Sequence, residues 1–187
     1  MKTFKLLFAV AFLGLFNSAH AEDAGLDVWK EISATLAHPR CSNCHSDNDR
    51  PHWFDPSTRS FRIHGMNVQR GADGANFGNP ALRCNSCHQE HNSPANGGPP
   101  GAPNWHLAPI EMAWFNKSSA EVCAQFKDLS RNGNRDIAAL ADHVLNDKLV
   151  AWGWAPGSNR EPAPGSAQQL HDAILKWQAA GAPCPVD

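Results

Sequence analysis

The stretch CSNCH at residues 41–45 is matched by CNSCH at residues 84–88. Each stretch is a C-x-x-C pair followed directly by a histidine. A disulfide or a redox-active C-x-x-C pair does not need that histidine, so the histidine is the informative residue. Two copies in one chain of 187 residues indicate that the pattern serves a specific chemistry.

The C-x-x-C-H pattern is typical of covalent c-type haem attachment. The two thiols bond to the vinyl groups at the edge of the porphyrin, and the adjacent histidine reaches the iron from one face. The sequence therefore predicts two haem c groups. The predicted attachment residues are Cys41, Cys44 and His45 for the first haem, and Cys84, Cys87 and His88 for the second.

The N-terminal residues have the pattern of a secretory signal peptide. Lys2 and Lys5 form a charged region, residues 6–16 are apolar, and residues 19–21 read AHA, a small-x-small cleavage signal. The apolar run is shorter than the roughly 20 residues that a membrane helix needs. We therefore expect a signal peptide over residues 1–21 and a mature periplasmic chain without a stable membrane anchor. A retained anchor is the alternative.

The cysteines allow two other interpretations, a zinc site and a set of disulfides. C-x-x-C pairs that bind zinc are usually about 15 to 20 residues apart, whereas 39 residues separate Cys44 from Cys84. Three disulfides would use all six cysteines, but four of the six stand in the repeated motif. The remaining two, Cys123 and Cys184, are predicted to form a disulfide, because an exported protein meets an oxidising compartment.

Composition and periodicity predict a mainly α fold with extensive irregular loops. The chain has 14 prolines and 14 glycines, which favour turns. Its formal charge of −2 becomes −4 when Lys2 and Lys5 leave with the signal peptide, which argues against a nucleic-acid partner. Apolar residues recur at helical spacing in four segments, which are 24–37, 118–129, 135–147 and 166–181.

These segments suggest one compact domain over residues 22–187, with a haem-binding part at 22–112 and a helical part at 113–187. The disulfide is expected to cross-link the helical part. Ser118 and Ser166 each begin a predicted capping box. The apolar face of the first helix, formed by Trp29, Ile32 and Leu36, is expected to lie on the first haem.

A haem that carries electrons needs a second axial ligand, usually histidine or methionine. His64 lies 19 residues after His45, and His106 lies 18 residues after His88. These matched offsets favour His64 and His106. The second choice is Met66 and Met112, the two methionines of the mature chain. The sequence leaves open which iron each ligand serves, since ligands can cross between the two halves.

Arginine is the only basic side chain, apart from histidine, between Lys30 and Lys117. A guanidinium group pairs with carboxylates at two points, and two haems would bring four propionates. The alternative for each arginine is a solvated position on the surface, without a propionate partner. The six are Arg40, Arg50, Arg59, Arg62, Arg70 and Arg83.

Six stretches between residues 40 and 184 carry a resemblance to a known family. They are HGMNVQRGADG, LRCNSCHQEHN, PGAPNWHLAP, AQFKDLSRNGNRDIAALADHV, DKLVAWGWAPGSNREPAPG and AAGAPCP. They are similar to small exported dihaem cytochromes c, often labelled as subunits associated with an isoquinoline 1-oxidoreductase, a molybdenum hydroxylase. The family has a histidine at the positions of His64 and His106. No part resembles a molybdopterin-binding or iron–sulfur domain, so the resemblance implies an electron acceptor of such an enzyme.

The sequence as a whole predicts an electron-transfer protein with redox proteins as donor and acceptor. A peroxidase-like enzyme or a haem-based sensor, each with an open iron site, is the alternative. Visible spectroscopy separates these classes, because an open site gives a high-spin component.

The first prediction concerns cofactor content. The protein isolated from the periplasm should have the mass of a chain that begins at Glu22 plus two haem groups, because thioether bonds survive denaturation. Intact mass spectrometry measures this directly. A denatured chain that carries fewer than two haems would contradict the prediction.

Overall fold

The computed structural model describes residues 22–71, 76–157 and 160–187. The predicted signal peptide over residues 1–21 lies outside the described residues. Regular structure in the described parts is mostly helical, with a few short strands, which agrees with the predicted helical character and extensive loops. The α-helices are α1 (22–37), α2 (Pro39–Ser42), α3 (Ser119–Lys127), α4 (Ile137–Asn146), α5 (Lys148–Ala151) and α6 (Ala167–Ala179).

The strands of the described residues form two antiparallel hairpins, neither of which the sequence analysis predicted. β1 (His52–Asp55) pairs with β2 (Ser60–Ile63), and β3 (Gly78–Asn79) pairs with β4 (Leu82–Arg83). No helix among residues 22–71, 76–157 and 160–187 is long and apolar enough to span a membrane.

The hydrophobic core lies among α1, α3, α4 and α6. Trp29 of α1 is fully buried, with its ring 4.8 Å from that of Trp177 on α6 and 5.6 Å from that of Phe126 on α3. Its indole nitrogen donates a 2.9 Å hydrogen bond to Ser119 at the start of α3. Burial of large aromatic side chains stabilises such a core because it removes most apolar area from water.

The first helix therefore contacts a different surface from the one that the sequence analysis expected. Ile32 and Leu36 join the same buried cluster as Trp29, so the apolar face of α1 packs on the C-terminal helices. The face was expected to lie on the first haem. The physical reason is that α3 and α6 present aromatic rings and α4 presents aliphatic side chains to this face, which helical periodicity alone cannot reveal.

The helix boundaries follow the capping residues. Ser118 and Glu121 form the complete capping box at α3, with both reciprocal hydrogen bonds present. At α6 the Ser166 hydroxyl accepts from the backbone N–H of Gln169. Asp136 caps α4 in the same way. Each such cap satisfies an N–H group that the first helical turn otherwise leaves unpaired.

Cys123 and Cys184 form the predicted disulfide, with their Cα atoms 5.6 Å apart. It ties α3 to the segment that follows α6. Two further contacts hold that segment, because the Trp177 indole donates to the Pro183 carbonyl (2.8 Å) and the Lys127 ammonium donates to the Ala182 carbonyl (2.9 Å). The disulfide thus closes a 61-residue separation around the helical core.

The second prediction concerns this disulfide. Its loss should lower the free energy of unfolding by about 4 kcal/mol, because the unfolded chain regains the entropy of a long loop. Cys123→Ala, Cys184→Ala and the double variant should lose nearly the same amount in urea denaturation, since either single change breaks the bond. Single losses that add up in the double variant would show that side-chain packing, and not the bond, provides the stability.

Candidate functional site

The two C-x-x-C-H motifs have the same local backbone. In the first motif the His45 N–H donates to the Cys41 carbonyl (3.2 Å), and in the second the His88 N–H donates to the Cys84 carbonyl (3.0 Å). Each motif is therefore one helical turn, which brings side chains three and four residues apart to one face. The two thiols and the histidine of each motif consequently share a side.

All four motif cysteines are free thiols. Burial raises the pKa of Cys41 to about 12 and that of Cys44 to about 11, with a neighbouring cysteine adding to each shift. The neighbour that acts on Cys44 is Cys84 of the other motif, so the two motifs approach each other. Both Cys41 and Cys44 are protonated at neutral pH and do not form a disulfide here.

A cavity of about 550 Å³ lies between the motifs. This volume is within the range of about 300–1,000 Å³ that is usual for small-molecule and cofactor sites. Its walls combine ligand-type side chains with aromatic rings, prolines and two leucines. The motif and candidate ligand residues that line it are Cys44, Cys84, Cys87, His88, His64, Met66 and His106.

Four histidines are held in one defined hydrogen-bonding arrangement. The Nδ1 atom of each contacts a backbone carbonyl, which can only accept, so Nδ1 carries a proton and, when the ring is neutral, Nε2 carries the free lone pair. That is the form in which imidazole binds a metal. The pairs are His45 with Met112 (2.7 Å), His88 with Pro100 (2.8 Å), His64 with Gly65 (2.8 Å) and His106 with Asn104.

The other described histidines differ from these four. Nδ1 of His38 accepts from the Arg40 backbone N–H, while His143 and His171 face carboxylates. His91 is exposed, and His52 has a buried Nδ1 without a hydrogen-bond partner. The carbonyl contact at Nδ1 is therefore shared, within the described residues, by the two motif histidines and the two preferred second ligands.

Burial keeps the motif histidines neutral. It lowers the pKa of His45 to about 3, against the opposing effect of the hydrogen bond to Met112. Burial likewise lowers the pKa of His88, and the nearby charges of His64 and Arg160 act in the same direction. Both rings are thus neutral at pH 7, with the proton on Nδ1 and with Nε2 free to bind a metal.

A tryptophan stacks on each motif histidine. Trp114 lies parallel to His45 at 3.4 Å, and Trp105 lies parallel to His88 at 4.6 Å. Trp114 also packs against Phe126 of the core, at 5.9 Å between ring centroids. The sequence analysis missed Trp114 because it lies 69 residues from His45, and only the fold brings them together.

The structure brings His64 next to the second motif. The His64 and His88 ring centroids are 6.0 Å apart, whereas His106 stacks on Phe77 at 4.7 Å. Met66 lines the same cavity but is 75% exposed. Met112 is buried, and its carbonyl lies at the Nδ1 edge of His45, away from the nitrogen that binds a metal.

Three arginines line the cavity, Arg40, Arg83 and Arg160, and none of them forms an ion pair with a carboxylate among the described residues. The Arg40 guanidinium lies 5.5 Å from the Trp152 ring centroid and donates to the Glu161 carbonyl (2.6 Å). Arg160, which the sequence analysis did not select, donates to the carbonyls of Pro156 and Gly98. Burial and the charge of Arg160 both lower the pKa of Arg40. Glu161 acts in the opposite direction on the pKa of Arg40, and the two guanidinium groups together leave a net positive charge that suits an anionic ligand.

The remaining predicted arginines fall into different environments. Arg62 forms an ion pair with Asp55 (2.8 Å) on the first hairpin, Arg50 donates to Asn67, and Arg83 lines the cavity. Arg70 is buried. Its Nη1 donates to Ala108 and Asn76, while its Nε and Nη2 have no hydrogen-bond partner within the part of the chain that the structure describes. Arg59 is exposed with a positive φ, as befits a turn.

A bare metal ion finds no prepared site in the described residues, since no group of three or more His, Cys, Asp or Glu side chains is arranged to hold one. The chemistry of the residues present fits haem instead, because haem brings its own four equatorial nitrogens. The protein then has to supply thiols, axial histidines, apolar walls and cations for the propionates. Thiols, histidines, apolar walls and arginines all line the cavity, whereas Cys41 and His45 of the first motif lie outside its lining.

Comparison of the chain with known protein families, with curated proteins and with solved structures finds no match.

Proposed function

We propose that the protein is an electron carrier with two covalently bound haem c groups, and that it belongs with the small exported dihaem cytochromes c that its sequence resembles. The observation that supports this most directly is the arrangement of His45, His88, His64 and His106. All four donate from Nδ1 to a backbone carbonyl, which leaves Nε2 as the nitrogen available to the two six-coordinate irons.

In this function the thiols of each motif would hold one haem covalently, and His45 and His88 would bind the two irons. Haem supplies a one-electron couple between ferric and ferrous iron when it is bound. The backbone carbonyls of Met112 and Pro100 orient the two rings and increase the electron density at Nε2. Trp114 and Trp105 restrict ring rotation by stacking, so Nε2 of each histidine keeps a fixed direction.

His64 and His106 are the proposed second ligands, in preference to Met66 and Met112. A methionine ligand tends to raise the reduction potential of a haem relative to histidine. Two bis-histidine haems would therefore accept electrons from a comparatively reducing donor. The proposed location is the periplasm, and the proposed donor is a dehydrogenase, such as the molybdenum hydroxylase that the family resemblance suggests.

The third prediction tests the ligands and the electron-carrier function together. The oxidised and reduced proteins should both show only six-coordinate low-spin haem, because both axial positions are filled. His64→Ala and His106→Ala should each turn one of the two haems high-spin. Met66→Leu, Met112→Leu and the exposed control His91→Ala should leave the visible and EPR spectra unchanged.

Two results would contradict the third prediction. A high-spin component in the wild-type protein would indicate an open iron, as in a peroxidase-like enzyme or a sensor. A sulfur-to-iron charge-transfer band that disappears in Met66→Leu or Met112→Leu would assign methionine to that iron instead of histidine.

The fourth prediction concerns the cavity arginines. Arg40→Gln and Arg160→Gln should each lower the reduction potential of a haem at low ionic strength, because loss of a nearby positive charge favours the ferric state. Lys176→Gln on the exposed face of α6 changes the net charge equally and serves as the control. Equal shifts of the reduction potential in all three variants would show that the potential depends on the net charge of the protein and not on a cation at the site.

A further inference from the structure

His64 follows the first motif in sequence but lies beside the second motif in space. The chain leaves the first motif, forms the β1–β2 hairpin and reaches His64 directly after β2. The His64 backbone N–H donates to the Pro51 carbonyl (2.9 Å), which fixes the residue at the base of that hairpin. From there its ring points into the cavity that Cys84, Cys87 and His88 also line.

The separation of His64 from His88 has a chemical meaning. Two imidazoles on opposite sides of one metal ion, each with a metal–nitrogen distance of about 2 Å, have ring centroids about 6 Å apart. The observed value is 6.0 Å. The 60° angle between the ring planes is compatible with this arrangement, because each ring can rotate about its metal–nitrogen bond.

The segment that carries His106 is attached to the other motif. Ala108, two residues further on, donates its backbone N–H to the Cys44 carbonyl (3.2 Å). The intervening Leu107 N–H donates to the Asn76 carbonyl (3.0 Å), next to Phe77, whose carbonyl accepts from the Cys84 N–H (2.9 Å), so the segment also contacts the chain before the second motif. The hydrogen bond from Ala108 to Cys44 thus holds the segment around His106 against the first motif, although His106 follows the second motif in sequence.

We propose that the axial ligands cross between the motifs. His64 completes the iron held at Cys84, Cys87 and His88, and His106 completes the iron held at Cys41, Cys44 and His45. The crossing rests on the proposed dihaem function and adds to it the pairing of ligands with irons. Its structural consequence is that neither half of the haem-binding part can build a six-coordinate site alone.

His52 is the competing ligand for the cavity. It lines the same space and is 9% exposed, and its buried Nδ1 has no hydrogen-bond partner among the described residues. Its ring stacks on Phe115 at 4.3 Å. No carbonyl of the described residues accepts from its Nδ1, so the contacts of His52 do not define its tautomer as those of His64 do. The proposed pairing of ligands with irons therefore leaves His52 unbound.

Double variants of the full-length dihaem protein test the crossing, with the number of low-spin haems by EPR and visible spectroscopy as the measurement. His64→Ala/His88→Ala removes both ligands from one iron, so one haem should stay low-spin. His64→Ala/His45→Ala removes one ligand from each iron, so no haem should stay low-spin. The matching pair is His106→Ala/His45→Ala, expected to keep one low-spin haem, and His106→Ala/His88→Ala, expected to keep none.

A second set of variants retains both proximal histidines. Cys41→Ser/Cys44→Ser keeps only the second haem, and adding His64→Ala should turn it high-spin. Cys84→Ser/Cys87→Ser keeps only the first haem, and adding His64→Ala should leave it low-spin. This set answers the same question if a protein without a proximal histidine takes up no haem.

The opposite pattern in either set would overturn the crossing, because His64 would then serve the first iron. A second haem that turns high-spin in His52→Ala but not in His64→Ala would overturn it as well. Failure of the proposed function is distinguishable, since it would appear in the wild-type protein as fewer than two covalent haems or as high-spin iron.

Discussion

The hydrogen bond from a histidine Nδ1 to a backbone carbonyl is the interaction on which the site depends. It decides which ring nitrogen is free, and it fixes the direction in which that nitrogen points. For His45 and His88 the carbonyls come from Met112 and Pro100, which are 67 and 12 residues away along the chain. The orientation of the motif histidines is therefore a property of the tertiary fold and not of the five-residue motifs.

The irregular chain between the motifs and the helices carries those two carbonyls. Gly101 shows how tightly this segment is packed, since a Cβ atom there would collide with the carbonyl oxygens of His91 and Gln89. Asn92 accepts from both the Gly101 N–H (3.0 Å) and the Trp152 indole (2.9 Å), which ties the segment to the chain after α5. Trp152 in turn packs edge-on against Trp105, the ring that stacks on His88.

The helical core supports the first motif through a shorter route. Trp114 lies between His45 and Phe126, so it connects the first motif to the hydrophobic core. The disulfide closes the same core. The core and the site thus share side chains. A buried polar bond extends this connection, because the Gln125 amide of α3 donates to the Ala113 carbonyl (2.8 Å), next to Met112 and Trp114.

The sequence by itself determined the features whose physics is local. The two C-x-x-C-H turns, the helices of the C-terminal part, the caps at Ser118 and Ser166 and the pairing of Cys123 with Cys184 can be read from spacing and residue type. In each case the decisive contacts span a few residues, or, for the disulfide, the two cysteines were the only pair left after the motifs.

Only the tertiary structure decided what lies next to what. It placed α1 on the C-terminal helices, stacked Trp114 on His45, added Arg160 to the cavity and brought His64 beside His88. These contacts join residues with no periodic relation in the chain, through turns rich in glycine and proline whose direction depends on packing. Matched offsets could select His64 and His106 as a pair, but an offset measures distance along the chain, and the fold determines distance in space.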